Sequence, residues 1–204
     1  AIWKCNDKIA EQNFNRLETM DLYNRLTPAV LAYEGIAFQY MAPAVFEIQQ
    51  FEYLQNHLRI LSAFYGILKP LDGVTPYRLE MQTKAEIEET TNLYDYWGDR
   101  LYHSVIDDSR IIINLASKEY SKCIEKYLTP QDRYISVTFC EASGDKMVTK
   151  GTYAKMARGE MVRFMAENNI ENPLDIKKFD RLGYSFRSDL SSETEYVFER
   201  KIKQ

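Results

Sequence analysis

Cysteine and histidine are scarce in this 204-residue chain, which has three of the first and two of the second. Cys5, Cys123 and Cys140 lie far apart, none at the spacing of a metal or redox pair, so they read as reduced thiols of a cytoplasmic protein. His57 and His103 complete a set of soft ligands too thin for zinc and poor for iron, so no metal and no cofactor is expected. No apolar run approaches the length of a membrane-spanning helix and no signal-like start is present; neither a span nor secretion is expected. There is no Gly-rich phosphate loop, no G-x-S-x-G and no H-E-x-x-H, which removes the P-loop, dinucleotide, nucleophile-elbow and zincin readings. Internal repeats, low-complexity tracts and long Gly/Ser/Pro linkers are also missing, and a single domain over residues 1–204 is the simplest organisation. The start, Ala1-Ile2-Trp3-Lys4, lacks an initiator Met, and part of the chain is expected to be absent.

What is present is ordinary for a globular protein: 45% hydrophobic and 27% charged residues, enough to build a core. The net charge of −4 argues mildly against a nucleic-acid binder, although the distribution of charge matters more than its sum. The chain is organised around Phe51 to Met81. Apolar residues at Phe51, Leu54, Leu58, Leu61, Tyr65 and Leu68 predict a helix from Glu47 to Leu68, stopped by Pro70. A stiff loop rich in Pro and Gly follows and presents Lys69, Arg78 and Glu80.

Other elements follow from the same periodicities. Ile2 to Met20 reads as a helix, with Leu22 to Leu26 its continuation or a second short one, and Ala29 to Tyr33 as a strand; Ala37 to Met41 is too short to assign. Asn92 is placed to cap a helix from Leu93 to Val105. Ile111 to Leu115 is a β-branched, nearly continuous apolar strand and is predicted to lie inside a sheet. Tyr134 to Phe139 and Lys146 to Thr149 read as a hairpin around Ser143-Gly144-Asp145. Tyr153 to Asn168 is a second strong helix, and Gly183 to Phe186 and Tyr196 to Ile202 are final strands. Helices interleaved with strands give an α/β (mixed α+β) protein, a mixed β-sheet flanked by helices.

Candidate chemistry concentrates between Lys146 and Arg163. Lys146, Lys150, Lys155, Arg158 and Arg163 face a single acid there, Glu160. Lys155 and Arg158 are three apart and share a helix face, where such a cluster can hold phosphates. The plainer reading is a solvated helix face whose compensating acids lie elsewhere. Gly159, costing about 1 kcal/mol against Ala inside a helix, points to close approach by another backbone or a ligand. Ser117, after a buried strand, caps a helix whose N-terminus could hold an anion; a plain cap is the simpler alternative. His57 reads as a structural histidine. Glu80 and Asp95 could act as acid or base, but nothing in the sequence pairs them.

The blocks Leu61-Ser62-Ala63-Phe64-Tyr65-Gly66-Ile67-Leu68-Lys69-Pro70-Leu71-Asp72 and Pro76-Tyr77-Arg78-Leu79-Glu80-Met81 resemble the bacterial peroxide stress protein YaaA family. So do Trp97-Gly98-Asp99, Ile113-Asn114-Leu115-Ala116-Ser117 with Glu119-Tyr120, Tyr153-Ala154-Lys155 with Ala157-Arg158-Gly159, and Gly183-Tyr184 through Val197-Phe198. These blocks run in the family's order over nearly the whole chain. The resemblance implies a cytoplasmic protein that limits peroxide damage by lowering free iron. It also implies a mixed α/β fold with a basic cleft, and DNA binding through a helix-hairpin-helix; it implies no enzymatic activity. The family's opening strand with Ser-Pro-Ala-Lys has no counterpart here, and the helix-hairpin-helix is not visible around Asn6 to Phe14.

Two functions of different class are therefore carried forward. In the first, Lys69, Arg78, Lys155 and Arg158, with Lys150 and Arg163, contact DNA phosphates and Ser117 offers a helix-end anion site, without base-specific reading. In the second, Arg78, Glu80, Ser117, Lys155 and Arg158 surround a small phosphorylated or anionic substrate of an enzyme.

Overall fold

The computed structural model describes residues 3, 5–144 and 146–201. The chain opens with α1 (Asp7–Glu18), started by Asn6, whose side-chain oxygen accepts the Ile9 N–H at 3.0 Å. Among the described residues the helix is shorter than predicted at both ends; Ile2 and Lys4 of the predicted span lie outside them. No helix forms over residues 22–26, which bend into β1 (Thr27–Pro28). The predicted strand that follows is instead a helix, α2 (Ala29–Ala32). Its first N–H groups, which a helix leaves without internal acceptors, donate to the carbonyls of Asp72 at 2.8 Å and Pro70 at 3.0 Å. That distant loop decides the conformation.

Next come α3 (Ile36–Met41) and α4 (Ile48–His57). The long predicted helix thus stops at His57, and its second half is a hairpin of β2 (Ile60–Ser62) and β3 (Gly66–Leu68). Gly66 takes φ +82°, open to glycine at little cost, and Ser62 Oγ accepts the N–H groups of Phe64 at 3.2 Å and Tyr65 at 2.8 Å. Trp97 closes the turn, its indole N–H donating to the Ala63 carbonyl at 2.9 Å. β4 (Gly73–Val74) pairs antiparallel with β1.

Asn92 caps as predicted, accepting the Asp95 N–H at 3.0 Å. The helix it starts is divided, however, into α5 (Leu93–Trp97) and α6 (Arg100–Val105), because Gly98 at φ +54° leaves the helical path. The remaining α-helices and strands are β5 (Ile111–Asn114), α7 (Lys118–Glu125), β6 (Arg133–Ser143), β7 (Lys146–Val148), α8 (Gly151–Glu167), β8 (Tyr184–Phe186) and β9 (Glu195–Arg200), with short 3-10 turns at Pro173–Lys178, Arg181–Gly183 and Ser188–Leu190. β6 and β7 form the predicted hairpin, although Asp145 in its turn and Ile202 beyond β9 lie outside the described residues. The mixed α/β class holds.

The chain forms two compact units. The first comprises residues 1–32, 58–106 and 116–128 and holds the two small antiparallel sheets with α1, α2 and α5 to α7. The second comprises residues 33–57, 107–115 and 129–204 and holds α3, α4, α8 and a five-stranded sheet in the order β5-β6-β9-β8, with β7 on the end of β6. β5 and β9 run parallel to β6, and β8 runs antiparallel to β9. Among the described strands β5 ends this order instead of lying inside it. An apolar β-branched run reports that both faces of a strand are covered and says nothing of its edges.

The second unit's core grows from alternation along the first part of β6, where Ile135, Val137 and Phe139 are buried on one face. Phe139 meets the rings of Phe179, Tyr184 and Phe198 at centroid distances of 5.9, 5.2 and 5.5 Å. Ala154, Ala157, Met161 and Phe164 of α8 belong to the same cluster.

Burial weakens several acids in these interiors, Cys123 and Tyr184 among them. The Cys123 thiol is pushed from 9.0 to about 11, chiefly by desolvation, and the Tyr184 hydroxyl from 10.0 to about 12 for the same reason. Unfolding restores the ordinary values, so the unfolded chain loses these protons first. Stability contributed by both groups is complete below pH 9 and is lost as pH rises toward 12. A tenfold difference in acidity between the folded and unfolded chain corresponds to about 1.4 kcal/mol. Urea midpoints measured from pH 7 to 11 are expected to fall only above pH 9; a flat profile would show that these groups ionise freely in the fold.

Candidate nucleic-acid interface

α8 carries most of the predicted cations. It follows the β6–β7 hairpin and packs Ala154, Ala157, Met161 and Phe164 inward, which fixes the directions of the residues between them. Gly159 faces α3. A Cβ built on it would lie 2.0 Å from the Ala37 carbonyl oxygen and 2.9 Å from the Met41 nitrogen, so the close approach that this glycine predicts is made by a backbone.

Beside that contact sit Lys155 and Arg158. Lys155 is exposed and, among the described residues, has no carboxylate partner. Arg158 is half-buried, and its Nε is buried without a hydrogen-bond partner. Desolvation holds its guanidinium below the ordinary arginine range. Neither side chain is neutralised by a neighbour among the described residues.

The other cations of this stretch are engaged. Arg163 pairs with Glu167 at 2.7 Å, Glu167 with Arg181 at 2.5 Å, and Arg181 with Glu160 at 3.2 Å. Burial opposes the charge on Glu167, but hydrogen bonds from Arg163 and Arg181 prevail and hold its carboxyl below the usual range. Glu160, the acid within the basic stretch, thus serves Arg181, outside it.

Lys150, at the start of α8, forms an ion pair with Glu141, which is buried in β6. Arg200 of β9 approaches the same carboxylate at 3.6 Å and lies 3.7 Å above the Tyr153 ring. Glu141 and Arg200 are register partners. Sequence reasoning misses this cluster, although the inward parity of 135, 137 and 139 extends to position 141 and so places an acid inside.

The remaining predicted residues belong to the first unit. Lys69 is exposed; its backbone N–H donates to Asp72 Oδ2 at 2.8 Å, and its ammonium has no partner among the described residues. Arg78 lies 3.3 Å from Glu80, so the cation and the candidate acid–base group offset one another. Ser117 stands at the start of α7, where its carbonyl accepts the N–H groups of Tyr120 and Ser121, both at 2.9 Å, while its hydroxyl makes no capping bond. Asp95 bonds Asn92 at 2.6 Å. As for the histidine of the second unit, His57 ends α4 with its ring 4.4 Å from that of Tyr53 and its Nε2 3.4 Å from Glu171. Among the described residues no group of three His, Cys, Asp or Glu side chains is arranged to hold a metal ion, and no helix is long and apolar enough to cross a membrane.

Among the described residues, then, a mixed α/β fold carries two cations without ion-pair partners, Lys155 and Arg158, beside a helix–helix contact. Comparison with known proteins identifies the family. A family model described as Peroxide stress protein YaaA matches residues 1–190. A UPF0246 protein of Agathobacter rectalis is 84% identical over 202 residues, covering 99% of this chain and 81% of the relative. UPF0246 proteins of Lachnoclostridium phytofermentans and Desulfitobacterium hafniense are 56% and 52% identical, over 97% and 98% of this chain and 77% and 80% of the relatives. The chain belongs to the peroxide stress protein YaaA family.

Proposed function

We propose that this protein acts in the peroxide stress response by binding the phosphate backbone of DNA, duplex or distorted, without reading its sequence, and so helps limit iron-dependent damage in the cytoplasm. One observation carries the reading: Arg158 is a partly desolvated guanidinium without an ion-pair partner among the described residues, and exposed Lys155 stands one turn away. An anion at Arg158 replaces lost hydration at a position where no carboxylate competes. Lys69, in the first unit, is a separate candidate contact, an exposed ammonium without an ion-pair partner among the described residues. Arg78, Lys150, Arg163 and the Ser117 helix end stand in secondary roles, because carboxylates already engage the three cations.

The test is a gel-shift titration of duplex and bubble DNA with the parent chain and a Lys155→Ala/Arg158→Ala double variant. If about six phosphates are neutralised, parent affinity falls about a thousandfold between 50 and 200 mM salt. The variant is expected to bind more weakly at low salt, with a log–log salt slope shallower by about two. Equal affinity and equal slope would remove both residues from the interface.

The burial of Arg158 supports a second reading, an enzyme for a small phosphorylated or anionic substrate, since a small anion reaches a recessed guanidinium more readily than a duplex does. Competition of DNA binding by millimolar phosphate esters at constant ionic strength separates the two.

A further inference from the structure

Within the second unit a wide-mouthed surface cavity of about 600 Å³ is lined by Arg133, Lys177, Phe186, Ser188, Glu193 and Tyr196, among others. That volume suits a metabolite of nucleotide size and exceeds what an inorganic ion fills. The site lies at the amino ends of β6 and β9, of which Arg133 and Glu195 are the first residues. Ligands of open parallel sheets gather at the opposite, carboxyl ends. Recognition here must therefore come from side chains.

Those side chains carry unspent charge. Lys177 lies 5.1 Å from the ring centroid of Phe186 and 4.6 Å from that of Tyr196, so two aromatic faces hold its ammonium where no carboxylate does. Tyr196 is only 1% exposed, which makes this support rigid. Arg133 is exposed and, among the described residues, its guanidinium has no ion-pair partner. Two cations that form no ion pair among the described residues, on the wall of one cavity, favour an anionic group of more than one charge. Glu193, exposed and likewise without a cationic partner among the described residues, offers an acceptor for hydroxyl or amino groups. The Ser191 and Ser192 hydroxyls are occupied in holding the loop, accepting the N–H groups of Val197 at 2.9 Å and Glu195 at 3.0 Å. Ser188 keeps a hydroxyl that no described group engages.

We propose that this cavity binds a small phosphate monoester bearing hydroxyl groups, a sugar phosphate or mononucleotide. Arg133 and Lys177 hold the phosphate and Glu193 a hydroxyl. The site shares no residue with the DNA interface proposed above.

Calorimetric titration of the full chain with ribose 5-phosphate, adenosine monophosphate, ribose and inorganic phosphate tests it, with Arg133→Gln, Lys177→Gln and Lys155→Ala/Arg158→Ala variants alongside. At least one ester is expected to bind saturably and more tightly than ribose or inorganic phosphate. Each glutamine variant is expected to weaken it about tenfold or more, while the double variant leaves it unchanged. If Lys177→Gln does not fold, Arg133→Gln alone decides. Absence of saturable ester binding at millimolar concentration, binding no tighter than inorganic phosphate, or loss through Lys155→Ala/Arg158→Ala instead would overturn the assignment. Gel shifts with the glutamine variants are expected to match the parent, so the two sites succeed or fail separately.

Discussion

Replacing Gly159 with alanine is expected to destabilise the protein by about 2–4 kcal/mol, against the trend for an exposed helix position. Alanine gains about 1 kcal/mol of helix propensity over glycine. The gain is overwhelmed because the added methyl would lie 2.0 Å from the Ala37 carbonyl oxygen and 2.9 Å from both the Ala37 carbonyl carbon and the Met41 nitrogen. All three are backbone atoms, so no rotamer change relieves the clash; α3 must move as a body. Gly151, at the start of α8, is the internal control: nothing lies within 4 Å of a Cβ placed there. Guanidinium unfolding is expected to show a lowered midpoint for Gly159→Ala and an almost unchanged one for Gly151→Ala. Equal midpoints would mean that α3 and α8 are not in contact at residue 159.

The second large effect concerns the thiols. A peroxide-stress family invites the thought of a cysteine sensor, yet peroxide oxidises the thiolate, and this fold suppresses it twice. Cys123 and Cys140 are 5% and 4% exposed. Desolvation is the main cause raising both, to about 11 for Cys123. At neutral pH that rise from 9.0 leaves about a hundredfold less thiolate on Cys123 than on a free cysteine, before access is considered. Titration of native protein with a disulfide reagent at pH 7.5 is expected to modify Cys5, which is half-exposed, with Cys123 and Cys140 reacting only in denaturant. Native sulfenylation of Cys123 or Cys140 by equimolar hydrogen peroxide would contradict this.

The contrast between Asn92 and Ser62 shows how far local chemistry reaches. Asn92 needs only the N–H three residues on, so the cap is visible in the sequence. Ser62 sits in a run whose apolar spacing suits a helix, but its hydroxyl is also taken by Tyr77 at 2.6 Å, and the turn is closed by Trp97. Partners 15 and 34 residues away settle the hairpin, and no window of sequence contains them. α2 follows the same rule, its N–H groups being claimed by the loop at Pro70 and Asp72.

The cations follow it too. Their identity and the shared face of Lys155 and Arg158 are legible from spacing. Which of them stay free depends on Glu141, Glu167 and Glu80, and only two of these lie close to their partners in sequence. Gly159 is the informative exception, since its cost within a helix advertises a neighbour.

The acid at position 141 constrains how this part of the molecule can change over time. One carboxylate moors the beginning of α8, through Lys150, and the end of β9, through Arg200. Exchange of either base alone leaves an interior negative charge half compensated, and exchange of the acid alone sets two positive charges against each other. Drift at 141, 150 and 200 must therefore proceed in concert, and these three positions should mutate as a linked trio.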